Sequence, residues 1–415
     1  MGSAPMTPRR LGCRMAAAAR SYPRSYWAML AGYLVGIGGV NVIWPFITLF
    51  ARRTFDVPLS HVAIVFTVYS VISGAATMIA GPIVDRFGRK LGLFAAFFAT
   101  AIILFLMGLS QTYVHWVALM LVWAIFWPLI QISGYAMVAD WIDERRRTTA
   151  YAMIVISFSA GVAVGPAIGG FIIERSFPLA FTIGAVAALA TAFIVLLFIR
   201  ESLRAPRAAR AESAGGSYRQ MLRDRGFMGF VSVYALHALC GTMMFMLLPV
   251  YANEQFAVSE GRTGIIMSVG ALMPVLLQYT AARVATRFHA PRVLALGAGC
   301  YVAAMLIVAT GTGFLQFLIG FCVLQIGLLI TLPTASTLTA NAAPSNMRGR
   351  YMGAYSLASW AGFGLGPLVG GVLNDHIAPA ATWYGGAILS LVAAIGYLSL
   401  GPLFRKPSSA RENAK

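Results

Sequence analysis

The sequence predicts an all-α integral membrane protein, twelve transmembrane helices arranged as two pseudo-symmetric six-helix bundles. Three observations predict it. Only 11% of the 415 residues are charged, where a soluble chain carries roughly a quarter. Apolar stretches of about 20 residues, the length of a bilayer-crossing helix, recur from Trp27 to Leu403. A ten-residue pattern also returns after 201 residues, as "GVAVGPAIGG" at 161–170 and "GFGLGPLVGG" at 362–371. A soluble core can bury one such helix, but not a dozen.

The first span, 27–49, lies in "WAMLAGYLVGIGGVNVIWPFITLF", 24 residues without a charge. Spans follow at 60–82, 91–109, 114–136, 151–173 and 178–199. After a charged stretch they resume at 227–250, 264–282, 293–310, 314–336, 351–373 and 381–402. Glycine and proline inside them are tolerated, because neighbouring helices satisfy displaced backbone groups. The expected organisation is a basic tail at 1–26, a first bundle at 27–199, an Arg-rich linker at 200–225, a second bundle at 226–403 and a tail at 404–415.

An even number of spans puts both ends on one side. If that side is the cytoplasm, 27 of the 31 basic residues lie inside, leaving Arg52, Arg53, Arg175 and Arg262 outside. The positive-inside rule then orients the chain with both termini in the cytoplasm, and the cytoplasmic (inner) membrane is its expected location. The net charge of +18 reads as this orientation signal, with attraction to anionic lipid headgroups. Nucleic acid is not an expected partner, since the linker arginines carry no interleaved aromatics beyond Tyr218.

Other classes are excluded by what is missing. Cys240, Cys300 and Cys322 sit in apolar segments without repeated spacing and read as small hydrophobes, as opposed to ligands or disulfides. Cys13 follows "RLG", but Arg9, Arg10 and Pro8 stand where a lipoprotein signal needs apolar residues. The spans hold no paired ionisable groups, metal-spaced cluster or nucleotide loop, so neither an enzyme nor a bound cofactor is expected. Energy must come from a gradient.

The repeat is more than one pattern. The 201-residue shift also carries Arg86-Phe87 onto Arg287-Phe288 and Arg147 onto Arg348. Such repeated halves are a common construction for secondary transporters. Gly161, Gly165 and Gly169 fall at i, i+4 and i+8, placing bare backbone along one helix side, while Pro166 loosens the ladder. Gly170 completes the pattern, and Gly362, Gly366, Pro367, Gly370 and Gly371 form its second copy. The expected use is close helix approach where two bundles meet and part.

From residue 27 to 403 the chain resembles the major facilitator superfamily, and within it the twelve-span drug:proton antiporters. "GPIVDRFGRK" at 81–90 matches the family's G-x-x-x-D-R-x-G-R-[RK] loop at Gly81, Asp85, Arg86, Gly88, Arg89 and Lys90. The G-x-x-x-G-P-x-x-G-G signature of its antiporters matches Gly161, Gly165, Pro166, Gly169 and Gly170. The resemblance implies transport of a small molecule by alternating access, with efflux and a coupling proton as the finer expectation and a monomer as the working unit. Import or facilitated movement of a small neutral metabolite is the alternative.

In that frame Asp85 is expected to sit against a neighbouring helix N-terminus at the cytoplasmic face and pair across a gate. Arg86, Arg89 or Arg147 is its expected partner, and Gly88 permits the turn. The second half keeps Arg287 but has Thr286 where Asp85 stands, so the charge cluster should be asymmetric.

One departure shapes the expected site. Many antiporters of this kind carry an arginine in the fourth span, yet residues 116–139 hold no charge, and all thirteen acids lie in loops, tails or span ends. His237 alone is a mid-span ionisable group, the default functional candidate in a bilayer. Proton coupling would have to use His237, Asp85 or Asp140. Asn41, Gln131, His237 and Gln325 fall in spans one, four, seven and ten, which the resemblance implies line a central cavity. Trp44 shares a face with Asn41, and Trp123 and Trp127 share one with Gln131. The expected cavity is aromatic and uncharged, suited to a lipophilic or weakly polar solute.

Overall fold

The structure, a computed structural model, describes residues 22–202, 218–285, 287–344 and 347–401. The expected tails, up to residue 21 and from 402, and the linker core at 203–217 lie outside the described residues. Among the described residues, twelve helices are long and apolar enough to cross a membrane. In the first half they are α1 (Arg24–Phe55), α2 (Leu59–Phe87), α3 (Arg89–Gly108), α4 (Tyr113–Trp141), α5 (Glu144–Ile173) and α6 (Phe177–Phe198). The second half has α7 (Arg225–Phe256), α8 (Glu260–Ala285), α9 (Ala290–Ala309), α10 (Phe314–Ala342), α11 (Arg348–His376) and α12 (Ala381–Ser399).

Most helices outrun the apolar stretches that announce them, because polar residues continue the hydrogen-bond ladder past the greasy part. Thus α1 passes through Arg52 and Arg53, expected to follow the span, and α5 starts at Glu144, seven residues before the predicted boundary. Only α1 is broken. Pro45 lacks a backbone N–H, and Trp44–Phe46 form a 3₁₀ turn before the helix resumes at Ile47.

The halves are built alike. Helix α1 packs on α5 and α6, α3 on α4 and α6, and α2 on α4; α7, α9 and α8 repeat these pairings with α11, α12 and α10. Asp56 after α1 and Ala257 after α7, 201 residues apart, both close their helix in the left-handed conformation. Across the boundary, α2 packs on α11 and α5 on α8, a pair of contacts that the repeat exchanges.

The buried side chains show how the halves are tilted. One large apolar cluster joins both halves around Ile43–Leu59 and Leu239–Val258. Towards the other end it divides, one cluster holding Tyr26, Ala80 and Met137 of the first half, the other Phe230, Leu294 and Tyr351 of the second. The molecule therefore has a joined end and a parted end.

Candidate functional site

The break in α1 sets Trp44 at the boundary between two adjoining cavities. The larger, 420 Å³, is lined by Trp44 with His237, Tyr301, Gln325, Thr331 and Phe363 among its residues, mostly from the second half. The smaller, 230 Å³, has Trp44 with Asn41, Trp127, Phe158 and Phe245. Phe245 also lines the larger one. Neither lining contains a carboxylate, lysine or arginine.

His237 is 2% exposed, its ring 4.1 Å from that of Tyr301, and neither ring nitrogen has a hydrogen-bond partner. A neutral imidazole offers one donor and one acceptor, so both remain for whatever enters. Gln325 spends its Nε2 on the carbonyl of Gly270 in α8 at 2.9 Å, and Asn41 spends its Nδ2 on Ile37 in its own helix at 2.9 Å.

The four polar residues expected to share one cavity do not. His237 and Gln325 meet in the larger space and Asn41 faces the smaller. Gln131 is exposed and lines a separate 150 Å³ pocket with Tyr33 and Tyr135. Trp123 stays beside Trp127 and Trp44, with ring centroids 6.0 and 5.2 Å away, while its Nε1 donates to Thr100 in α3 at 3.2 Å and so packs α4 on α3.

The joined end is held by polar contacts that cross the halves. Arg52 makes a bidentate pair with Glu254, at 2.9 and 2.8 Å, and Arg53 reaches Glu260 and Asn253. Glu174, just past α5, accepts the backbone N–H of Gly261 at 2.9 Å. Asp375, in the last turn of α11, accepts that of Ser60 at 2.7 Å. These two contacts are one device used twice, since 174 and 375, and 60 and 261, are each 201 apart. A carboxylate there satisfies orphan donors in a helix's first turn and meets the positive end of its dipole. Sequence reasoning missed these residues, although an acid four places after each Gly-Gly was a readable signal.

At the parted end the charged motif is knotted within one half. Asp85, its side chain 65% exposed, lies 3.1 Å from Arg89 Nη2, and Arg89 Nε is 2.9 Å from Asp140 of α4. Glu201 accepts the backbone N–H groups of Arg89 and Lys90, both at 3.1 Å, while Lys90 donates to the Leu196 carbonyl at 2.7 Å. Gly88 holds φ +106°, which only glycine adopts without strain. Asp85 thus pairs with Arg89, one of its three expected partners, and among the described residues it makes no ion pair across the halves. Arg147 caps α4 through the carbonyls of Ile142 and Ala139, Arg86 lies over the Phe87 ring, and Arg287 is exposed after α8. Around Gly81, Gly349 and Gly353 a Cβ would meet nothing within 4 Å.

The glycine stripe also lies elsewhere than expected. Gly161, Gly165 and Gly169 press α5 against Gly38, Asn41 and Val42 of α1, and Gly362, Gly366 and Gly370 press α11 against α7. These are contacts inside each half. The last glycine of each copy reaches across, Gly170 meeting Glu260 and Gly261 and Gly371 meeting Leu59 and Ser60, and so does Gly364, which meets Thr67 and Ser70 of α2. Pro166, one turn earlier, sets its carbonyl against Gly264 of α8.

Two bundles around a central cavity, joined at one end, agree with what the sequence profiles record. The Major Facilitator Superfamily profile matches residues 29–259 and 230–415. The chain belongs to the major facilitator superfamily. It is a multi-pass membrane transporter and not an enzyme. This transporter is 26% identical over 388 residues to the MFS-type transporter YdeE of Escherichia coli K12, covering 90% of this chain and 93% of that one. It is 24% identical over 394 residues to the multidrug resistance protein MdtH of Escherichia coli, covering 93% and 95%. A crystal structure of a variant of the nucleoside transporter NupG shares the fold, with TM-score 0.79, 13% identity, and 90% and 99% of the two chains covered.

Proposed function

We propose that this transporter exports a lipophilic or weakly polar small molecule across the cytoplasmic membrane by alternating access, driven by protons and acting as a monomer. The observation that carries the reading is the cavity beside Trp44. Its lining is aromatic and uncharged, with one buried imidazole left without a partner. A polyvalent cation finds no counter-charge there, whereas an apolar solute loses little on entering. The likeness to MdtH, a multidrug resistance protein, supports export.

The orientation follows the basic residues. Arg52, Arg53, Arg175 and Arg262, the four outside the majority, belong to the joined end. The parted end is then cytoplasmic, and this arrangement is the inward-open one. Gly81, Asp85, Arg86, Gly88, Arg89, Lys90, Arg147 and Arg287 form the cytoplasmic gate region, whose cross-gate contacts belong to the opposite state. Gly170, Gly364 and Gly371 are the points where the glycine motifs bear on the rocking interface.

Flux in reconstituted vesicles tests this, with hydrophobic dyes, neutral metabolites and lipids under an imposed, omitted and reversed pH gradient. Expulsion of a hydrophobic dye that follows the proton gradient and reverses with it is the expected result. Accumulation of a neutral metabolite with no response to pH would replace export with the importer or facilitator reading.

A further inference from the structure

The larger cavity has a flat side and a polar side. Trp44 lies nearly parallel to Phe363, at 9° with centroids 6.4 Å apart, and to Trp127, at 3° and 6.5 Å. Direct aromatic pairs reach centroid separations of about 7 Å, so these rings stand at the loose end of that range. On the polar side, Thr331 Oγ1 joins both His237 nitrogens as buried groups without partners, at 1% and 2% exposure. Gln325, its amide nitrogen committed to Gly270, presents its oxygen as an acceptor. Buried polar atoms left unmade are costly, and the two residues that carry these three atoms both line one space.

We propose that this cavity selects a planar, uncharged aromatic solute with a hydrogen-bond donor beside an acceptor, as in a fused lactam or imide. The proposal rests on the transport reading above and names its substrate class. The ring lies along Trp44 and Phe363, and the donor–acceptor edge meets His237 and Thr331. A fixed cation is rejected because the lining offers no opposite charge; a saturated ring of equal size forfeits the aromatic faces.

Equilibrium dialysis of 1,8-naphthalimide against the purified full-length transporter tests it without any transport assay. Binding is expected to be roughly five- to tenfold tighter than that of N-methyl-1,8-naphthalimide, which lacks the donor, as one hydrogen bond implies. The perhydro imide and the planar N-methylacridinium cation are expected to bind more weakly still. Thr331→Val and His237→Leu should erase the preference for the N–H imide, with an unchanged thermal unfolding midpoint certifying folding. Phe363→Leu should erase the preference for the flat ring. No detectable binding, equal affinity for the imide and its N-methyl form, or tighter binding of the acridinium overturns the proposal. If dialysis fails while dye efflux in vesicles persists, the substrate class falls and the exporter reading stands; binding without flux does the reverse.

Discussion

Glu174 of the first half holds the backbone N–H of Gly261 in the second, at 2.9 Å, and the repeat returns the favour through Asp375 and Ser60 at 2.7 Å. Each acid follows a Gly-Gly that lets α5 or α11 lie against the very turn being capped. The glycine motif and the carboxylate thus act together: one brings the helices close, the other satisfies the exposed donors. Opening this end must break both copies.

Replacing both acids by their amides, Glu174→Gln with Asp375→Asn, keeps shape and removes charge. The inward-open state is expected to lose population, and either single change to lose less. Spin labels at 57 and 257, in a background without native cysteines, report it as longer cross-half distances. An unchanged distribution in the double variant would mean that apolar packing alone holds this end.

Acid should act on the same contact with a definite sign. Hydrogen bonds from Ser259 and the Gly261 N–H, with Arg175 and Arg262 adding smaller attraction, hold the Glu174 carboxyl below its ordinary value of 4.5, against a small opposing effect of desolvation. A depressed carboxyl stabilises the arrangement above its ordinary range, and that contribution is lost as pH falls through the lowered value. The label distances are therefore expected to lengthen only below about pH 4.5, and Glu174→Gln should reduce that transition, leaving the share of Asp375. Between pH 5.5 and 8.5 this contact contributes no pH dependence. A transition centred near neutrality, still present in the Gln variant, would point to another group.

The last glycines give a test by contrast. A methyl on Gly371 would stand 3.1 Å from backbone atoms of Leu59 and Ser60, which cannot rotate away as a side chain would. Gly371→Ala is expected to force α2 and α11 apart at the joined end. Gly81→Ala meets open space here and should raise helix stability by about 0.5–1 kcal/mol. Loss of transport in Gly81→Ala, with inward-open distances kept, would show that Gly81 is contacted in the opposite state.

Much of this was legible in the sequence. The spans, the halves and the motif residues follow from hydropathy and an internal repeat, which are properties of the chain itself. Boundaries were less so, since hydropathy marks what lipid touches and hydrogen bonding decides where α1 and α5 stop. The site was half legible. His237 was conspicuous as a mid-span titratable group, but Thr331 and Phe363 look like ordinary span residues until α10 and α11 are placed. Gln131 went astray because spacing fixes a helix face only to within a residue's rotation. Arg52 and Arg53, read as exceptions to a charge rule, turned out to have acids opposite them that no one-dimensional pattern pairs.

Asp85 is the next test. In its pair with Arg89 of the adjoining helix the Asp85 carboxylate is largely exposed to solvent, and an ion pair screened in this way is worth only about 0–1 kcal/mol. Asp85→Asn should leave Tm almost unchanged and still abolish transport, because its partner in the opposite state is lost. Label distances across the parted end are expected to drift toward the inward-open value. Full transport with unaltered distances would make Asp85 a solvated residue at a helix end.

His237 decides the coupling question. If the imidazole only tied α7 to a neighbour, removing it would cost about 1 kcal/mol, the scale of a membrane hydrogen bond; yet neither nitrogen has a protein partner to lose. His237→Gln is therefore expected to keep its Tm. As proton carrier, the residue should impose a pH dependence on transport, read here across pH 5.5–8.5. The Gln variant should flatten that profile and spare downhill movement of solute. A pure substrate contact gives a different pattern, a shifted apparent affinity with the pH profile retained. Lining the cavity as it does, His237 can do both, and both changes together are the expected result. Unaltered affinity with an unaltered profile would remove His237 from the site and leave Asp85 and Asp140 as the remaining places for a coupling proton.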